Sequence, residues 1–252
     1  MDKPLSVLFF GSPEFAVRSL EALRGDSRYS INAVVTETDK PAGRGKKLRH
    51  TAVKEYALAK DLTVLQPSTI QNEEFVRYIN SQAKFDAFVV VAYGKIVPQS
   101  ILDTPEHPIN VHGSLLPRWR GAAPIHRALM AGDSETGVAI MRMEAALDTG
   151  PVYSSETTPI KDEDTFGSIH DRLALIGARL LSDSLNDICQ EMLTAKQQSE
   201  EGILYAEKWL SKDLKINWEE DAETCNRRIR TCAPFPGARC EFRGTLCKVF
   251  DA

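Results

Sequence analysis

Two polar side chains stand two positions apart at the end of a short apolar stretch. In PINVHG (108–113), Asn110 and His112 alternate with Ile109 and Val111. Because side chains two positions apart on a strand lie on one face, the amide and the imidazole are predicted to face the same space. An amide donates hydrogen bonds and an imidazole exchanges protons near neutral pH, so the pair suits stabilising negative charge on a carbonyl oxygen.

A carboxylate that orients the imidazole or accepts protons would complete such a site, and Asp148 is the leading candidate. It lies in LDTGP (147–151), whose glycine and proline predict a loop joining two strands within residues 136–160. Taken singly, an asparagine or an aspartate is more often a turn or capping residue, and a histidine is more often structural. The combination of the three predicts a catalytic site at the carboxyl ends of the strands.

The four residues that follow this strand predict a ligand-contacting wall. Leu115 and Leu116 indicate apolar packing, while Ser114 and the backbone near Pro117 could contact a ligand.

Alternating strand and helix patterns predict the framework that positions these residues. Strands are expected at 6–10, 31–37, 63–67, 86–94 and 108–113, and helices at 14–23, 51–62, 73–82, 123–132 and 165–193. Ser12 and Thr165 are predicted to cap the first and last of these helices. The pattern is typical of a doubly wound α/β domain with a mostly parallel sheet, spanning residues 1–193.

A polar linker (194–208) is predicted to lead to a small C-terminal segment (209–252). This segment predicts a helix, a Pro-Gly turn and one hairpin that bends at Arg243-Gly244. It is too short for a helix and a closed five-stranded barrel. Its four cysteines, at positions 225, 232, 240 and 247, lack the close pairing of common zinc sites, so we expect small apolar core residues and no metal.

Composition and missing motifs exclude several classes of protein. The chain is 42% hydrophobic and 26% charged, as in an ordinary globular protein. The N-terminal apolar run is too short for a signal peptide or a membrane span, so a cytoplasmic protein without a membrane partner is expected. We also expect a monomer. Neither a G-x-G-x-x-G loop nor a Walker A sequence occurs, which argues against NAD-dependent and ATP-driven reactions.

One segment is strongly basic although the net charge is −4. Residues 40–50 carry five cations and no acid, namely Lys40, Arg44, Lys46, Lys47 and Arg49. Such a segment could attract a polyanion or could simply be a solvated loop.

Four motifs together resemble the folate-dependent formyltransferases. They are FGSPEFAV, DKPAGRGKKL, INVHGSLLPRWRGAAPIHRAL and LDTGP, and the first two narrow the resemblance to the branch that acts on methionyl-tRNA. The resemblance runs from about residue 5 to the end. It implies a Rossmann-like domain followed by an OB-like C-terminal domain, incomplete here, with 10-formyltetrahydrofolate as formyl donor and initiator methionyl-tRNA as acceptor.

The resemblance also implies roles for individual residues. Asn110, His112 and Asp148 match the family's catalytic set, and the segment Ser114 to Pro117 matches its tetrahydrofolate contacts. The five cations of the basic segment would bind the acceptor end of the tRNA.

Two alternatives stay open from the sequence. The first is a formyltransferase that uses the same three residues on a nucleotide-linked amino sugar or another small amine. The second is a shortened, inactive protein that binds folate or RNA without transferring a formyl group.

Overall fold

Strands and helices alternate along most of the chain in the computed structural model, which describes residues 3–42, 47–71, 73–82 and 84–252. The strands are β1 (Leu5–Gly11), β2 (Tyr29–Val35), β3 (Lys40–Ala42), β4 (Lys47–Arg49), β5 (Val64–Leu65), β6 (Ala87–Val91), β7 (His107–His112), β8 (Arg120–Gly121), β9 (Glu135–Arg142), β10 (Val152–Pro159), β11 (Tyr205–Ala206), β12 (Ala238–Phe242) and β13 (Thr245–Val249). The helices are α1 (Glu14–Gly25), α2 (Ala52–Ala59), α3 (Glu73–Ser81), α4 (Gln99–Leu102), α5 (Pro124–Ala131), α6 (Phe166–Cys189) and α7 (Ala222–Cys232), with a 3₁₀ turn at Ser211–Leu214.

The central sheet has seven strands in the order β10-β9-β7-β6-β1-β2-β5. Strands β5, β2, β1, β6 and β7 pair in parallel, whereas β9 runs antiparallel to β7. The α/β class and the mostly parallel sheet predicted from the sequence are therefore confirmed. Strand order reverses between β1 and β6, and α/β sheets bind ligands outside the carboxyl ends of the strands at such a point.

Aromatic packing stabilises the centre of this sheet. The ring of Phe10 on β1 lies 5.3 Å from Phe88, 5.6 Å from Tyr93 and 6.4 Å from Phe75, measured between centroids. All four residues are buried in one apolar cluster. Every residue of β6 is buried, which explains why its sequence, AFVVV, is apolar throughout rather than alternating between apolar and polar residues.

The two predicted helix caps have different outcomes. Thr165 accepts a hydrogen bond from the backbone N–H of Ser168 at 3.3 Å, so its capping role is confirmed. The prediction for Ser12 is wrong, because Pro13 occupies the N-cap of α1 and no side chain caps that helix. The Ser12 hydroxyl instead donates to the Tyr93 carbonyl at 3.1 Å and accepts from the Glu37 N–H at 3.2 Å.

The basic segment differs from the loop that its composition suggested. Its described parts form a two-stranded antiparallel ribbon, β3 with β4, in which Lys40 pairs with Arg49 and Ala42 with Lys47. Arg44 and Lys46 lie outside the described residues.

The chain divides into two compact units, each built from three separate segments. The first comprises Met1–His112, Ala139–Ser155 and Ala174–Gln198, and the second comprises Gly113–Val138, Glu156–Leu173 and Ser199–Ala252. Near the C-terminus of the second unit, α7 and the β12–β13 hairpin enclose a small core that includes the buried thiols of Cys225 and Cys232. All five cysteines are free thiols. Within the described parts of the chain, no helix is both long and apolar enough to cross a membrane.

A stacked histidine should make the second unit sensitive to acid. The His126 ring stacks on Phe166 at 4.0 Å and on Trp209 at 5.1 Å, between centroids. Burial lowers the pKa of His126 to about 4, with smaller contributions from the positive charges of Arg127 and His170. The unfolded chain therefore binds a proton near pH 6.5 that the folded chain does not bind until about pH 4, so stability is lost as the pH falls through this interval.

We expect His126→Phe to remove this acid sensitivity. Between pH 7.5 and pH 5, the wild-type free energy of unfolding should fall by about 2 kcal/mol more than that of the variant. Urea unfolding at the two pH values measures the difference, and His50→Gln, at an exposed imidazole, is the control. An equal pH dependence in wild type and His126→Phe would contradict the prediction.

Candidate active site

Strand β7 presents Asn110 and His112 on one face at its carboxyl end. Asn110 pairs with Val90 of β6 on one side and with Met141 of β9 on the other, so neighbouring strands hold its backbone on both sides. His112, the last residue of β7, is only 6% exposed. An imidazole this far from bulk solvent can act on a small substrate group in the site with little competition from water.

Asp148 approaches both side chains from the loop that joins β9 to β10. One carboxylate oxygen lies 3.4 Å from the Asn110 amide nitrogen, and the other lies 3.6 Å from Nδ1 of His112. The structure thus brings together the three residues that the sequence grouped. The distances are at or beyond the limit of a hydrogen bond, as is common in catalytic sites without substrate. Their catalytic roles remain predictions.

The Asp148 loop has an unusual backbone. Asp148 adopts a φ of +52°, in the left-handed region that is disfavoured for residues with a β-carbon. A β-carbon on Gly150 would lie 2.0 Å from the carbonyl oxygen of Arg142, so only glycine permits this close approach. The Arg142 N–H also donates to the Pro151 carbonyl at 2.9 Å. The glycine in LDTGP is therefore required by the close packing of the loop against the end of β9.

Gln198 is a neighbour of this loop that sequence reasoning missed. Its amide donates to the carbonyls of Asp148 and Gly150, both at 2.8 Å. No local pattern reveals this contact, because Gln198 lies in a polar segment that reads as a linker.

The predicted folate-contacting residues lie at the start of the second unit. Ser114 is buried and donates to the Arg118 carbonyl at 2.6 Å, so its hydroxyl stabilises the turn that includes Leu116 and Pro117. Leu115 lines a cleft of about 470 Å³ together with Trp119 and Asp133. Contact of Ser114, Leu115, Leu116 and Pro117 with folate remains a prediction.

A second cleft, of about 480 Å³, lies at the carboxyl ends of β1 and β6, where the strand order reverses. Its lining includes Ser12, Glu37, Arg49 and Tyr93. Asn110 stands on the strand next to β6, in register with Val90. A cation of the basic segment, Arg49, thus lines a cleft at the same edge of the sheet as the candidate catalytic residues.

A polar network anchors the basic ribbon at its base. Asp39 accepts hydrogen bonds from the Lys54 ammonium at 2.7 Å and from the Gln66 amide at 2.8 Å, and lies 2.9 Å from the ring of His50. These contacts lower the pKa of Asp39 to about 2, the Lys54 hydrogen bond being the largest cause. Lys40 is paired with Glu37 at 3.0 Å. No sequence pattern predicted this network.

No group of three or more histidine, cysteine, aspartate and glutamate side chains in the described ranges (3–42, 47–71, 73–82 and 84–252) is arranged to bind a metal ion.

Comparison with known proteins identifies relatives along nearly the whole chain. Residues 4–185 match the family described as "Formyl transferase", and residues 210–252 match "Formyl transferase, C-terminal domain". The chain is 46% identical over 251 residues to a methionyl-tRNA formyltransferase of Alcanivorax borkumensis, covering 99% of this chain and 76% of the relative.

Solved structures share the fold at low identity. A 4-N formyltransferase from Francisella tularensis superposes with a TM-score of 0.75 at 12% identity, covering 97% of this chain and 96% of that one. An N-formyltransferase from Helicobacter canadensis, solved with folinic acid and dTDP-3-aminofucose, gives a TM-score of 0.69 at 18% identity, covering 90% and 80% of the two chains.

Proposed function

Because this chain belongs to the formyltransferase family, we propose that it transfers a formyl group to the free amino group of methionyl-tRNA. The acceptor is the initiator tRNA, and the formyl donor is 10-formyltetrahydrofolate. One structural observation carries the proposal: an amide, an imidazole and a carboxylate converge at the carboxyl end of β7, where the Asp148 carboxylate lies 3.4 Å from the Asn110 amide nitrogen and 3.6 Å from Nδ1 of His112.

The convergence of donors fits a formyl substrate. The reacting group is a small carbonyl whose oxygen gains negative charge when an amine attacks its carbon. The Asn110 amide can donate a hydrogen bond to that oxygen, and His112, when protonated, can donate a second. Donors that are already oriented stabilise such charge without reorganisation, which typically lowers a barrier by roughly 3 to 4 kcal/mol for each donor.

Asp148 supplies the proton handling that the reaction needs. The donor provides the formyl group; a bond forms between the methionyl nitrogen and the formyl carbon, and the bond from that carbon to the donor nitrogen breaks. The attacking amine carries an extra proton after attack, and the leaving nitrogen needs one. The carboxylate of Asp148, beside Nδ1 of His112, would stabilise the imidazolium and accept the amine proton through water, and this proton would then pass to the leaving donor nitrogen.

The basic ribbon provides a surface for the tRNA. Lys40, Arg44, Lys46, Lys47 and Arg49 would contact phosphates of the acceptor end, and Arg49 lines the cleft beside β1 and β6. Ser114, Leu115, Leu116 and Pro117 would contact the tetrahydrofolate.

A direct assay tests the proposed function. The purified protein is incubated with 10-formyltetrahydrofolate carrying a labelled formyl group and either methionyl-initiator tRNA or a nucleotide-linked amino sugar. We expect labelled formylmethionyl-tRNA and no measurable labelling of the sugar. Labelling of the sugar alone would support the amino-sugar alternative, and binding of the donor without transfer to either acceptor would support an inactive binding protein.

A further inference from the structure

One glutamine connects the loop of Asp148 to a distant segment of the first unit. Gln198 is half-buried, and its side-chain amide donates to two carbonyls, those of Asp148 and Gly150, each at 2.8 Å. A primary amide has two N–H hydrogens, so both donors are used on this one loop. The two acceptors flank Thr149, and the contact therefore constrains the backbone on both sides of it.

The segment that carries Gln198 is itself fixed. Lys196 forms an isolated antiparallel bridge with Val152, the first residue of β10, through two backbone hydrogen bonds of 2.8 Å. The backbone that carries Gln198 is therefore bonded to the first residue of β10, the strand that directly follows the Asp148 loop.

Asp148 needs such support for two reasons. Its φ of +52° is a conformation that an isolated aspartate adopts infrequently, so surrounding contacts must stabilise it. Its two carboxylate oxygens also face different partners, Asn110 and His112, so a rotation of the loop would separate the carboxylate from both. Residues 144–147, which precede it, are exposed and offer little packing.

We propose that Gln198 is a positioning residue of the formyl-transfer site, acting through the backbone of Asp148. This inference rests on the proposed function of Asp148. It predicts that loss of the two amide hydrogen bonds slows the chemical step rather than substrate binding, because both bonds end on the backbone of the loop that carries the Asp148 carboxylate.

The test is a double-mutant cycle between Gln198→Met, which keeps the length of the side chain but removes its donors, and Asp148→Asn. Single-turnover rates are measured with saturating enzyme and donor, and KM values are measured for both substrates. We expect Gln198→Met to lower the rate by about tenfold or more, with both KM values within about twofold of wild type. In the Asp148→Asn background the same substitution should change the rate by less than about twofold. Gln197→Met, at the exposed neighbouring position, should behave as wild type in both backgrounds.

The outcomes separate this inference from the proposed function. If Gln198→Met lowers the rate equally in the wild-type and Asp148→Asn backgrounds, its role is purely structural and the inference is overturned. The inference is also overturned if Gln198→Met alone leaves the rate unchanged while Asp148→Asn alone lowers it. A wild-type rate in Asp148→Asn itself would instead overturn the catalytic assignment of Asp148, on which the inference rests.

Discussion

Replacement of Asn110 by alanine is expected to lower the rate of formyl transfer by about 10²- to 10³-fold with little change in folding. The side chain lies at the end of β7 and is half-buried, so its removal leaves the sheet hydrogen bonds of the strand intact. Loss of one donor to a developing oxyanion typically costs roughly 3 to 4 kcal/mol of transition-state stabilisation. Single-turnover rates, with circular dichroism and thermal melting as controls for folding, measure the effect.

His112→Ala and Asp148→Asn should have effects of similar size that do not add. The imidazole and the carboxylate are expected to act together, because Asp148 lies beside Nδ1 of His112. Once one of two such cooperating groups is removed, removal of the second lowers the rate little further. We therefore expect the double variant to be within about tenfold of the slower single variant.

A matched control removes an amide elsewhere in the first unit. Asn186→Ala on α6 deletes the same chemical group from a side chain whose amide donates to the carboxylate of its neighbour Asp187 at 3.2 Å, and its rate should equal that of wild type. A near-normal rate in Asn110→Ala or His112→Ala would contradict the assignment of the site.

The candidate catalytic residues could be predicted because short stretches of sequence reveal them, either by their spacing on a strand or by the composition of the loop that carries them. Asn110 and His112 share a face through strand periodicity alone, and Asp148 stands in a loop marked by glycine and proline. Because β9 runs antiparallel to β7, the loop after β9 begins beside Pro108 and Ile109, and it must fold back along β7 for Asp148 to reach Asn110 and His112. The pairing of β7 with β9 and the return of this loop thus bring a short motif and a distant residue into one site.

Other contacts could not be predicted because their partners are distant in the chain and no periodicity connects them. The Gln198 amide donates to a carbonyl 50 positions earlier in the chain. Asp39 accepts hydrogen bonds from Lys54, which lies on α2, and from Gln66, which directly follows β5. The Ser12 prediction was wrong for the same reason. The local sequence favours Ser12 as a cap for α1. In the structure its hydroxyl instead bonds the Tyr93 carbonyl, which follows β6, and the Glu37 N–H, which follows β2.

The division into two units was also beyond the reach of sequence patterns. Residues 113–138, which directly follow β7, cluster with the C-terminal segment rather than with the strands before them. Periodicity reports which residues form an element, but it does not report which elements share a core. The predicted boundaries at 193 and 208 therefore rest on composition alone.

Reversal of the charges at Arg44, Lys46 and Lys47 to glutamate is expected to raise the KM for methionyl-tRNA by roughly 100-fold. A single charge contact contributes up to about 1 kcal/mol, so three reversals should cost about 3 kcal/mol of binding. Lys40 is a poorer choice, because Glu37 already pairs with it at 3.0 Å. The KM for 10-formyltetrahydrofolate and the rate at saturating tRNA should stay within about twofold of wild type. Steady-state kinetics with each substrate varied in turn provide the measurement.

The salt dependence of binding distinguishes lost phosphate contacts from misfolding. The slope of log affinity against log salt should become shallower by about 0.7 to 0.9 for each phosphate contact removed. The control reverses two charges, at Lys3 and Lys60, which are exposed and precede β1 and β5. Those positions lie at the amino ends of parallel strands, the edge of the sheet opposite Arg49 and its cleft. Equal increases in KM for tRNA and for the folate donor, or an equal effect of the control, would show that the basic segment (40–50) does not bind the acceptor end.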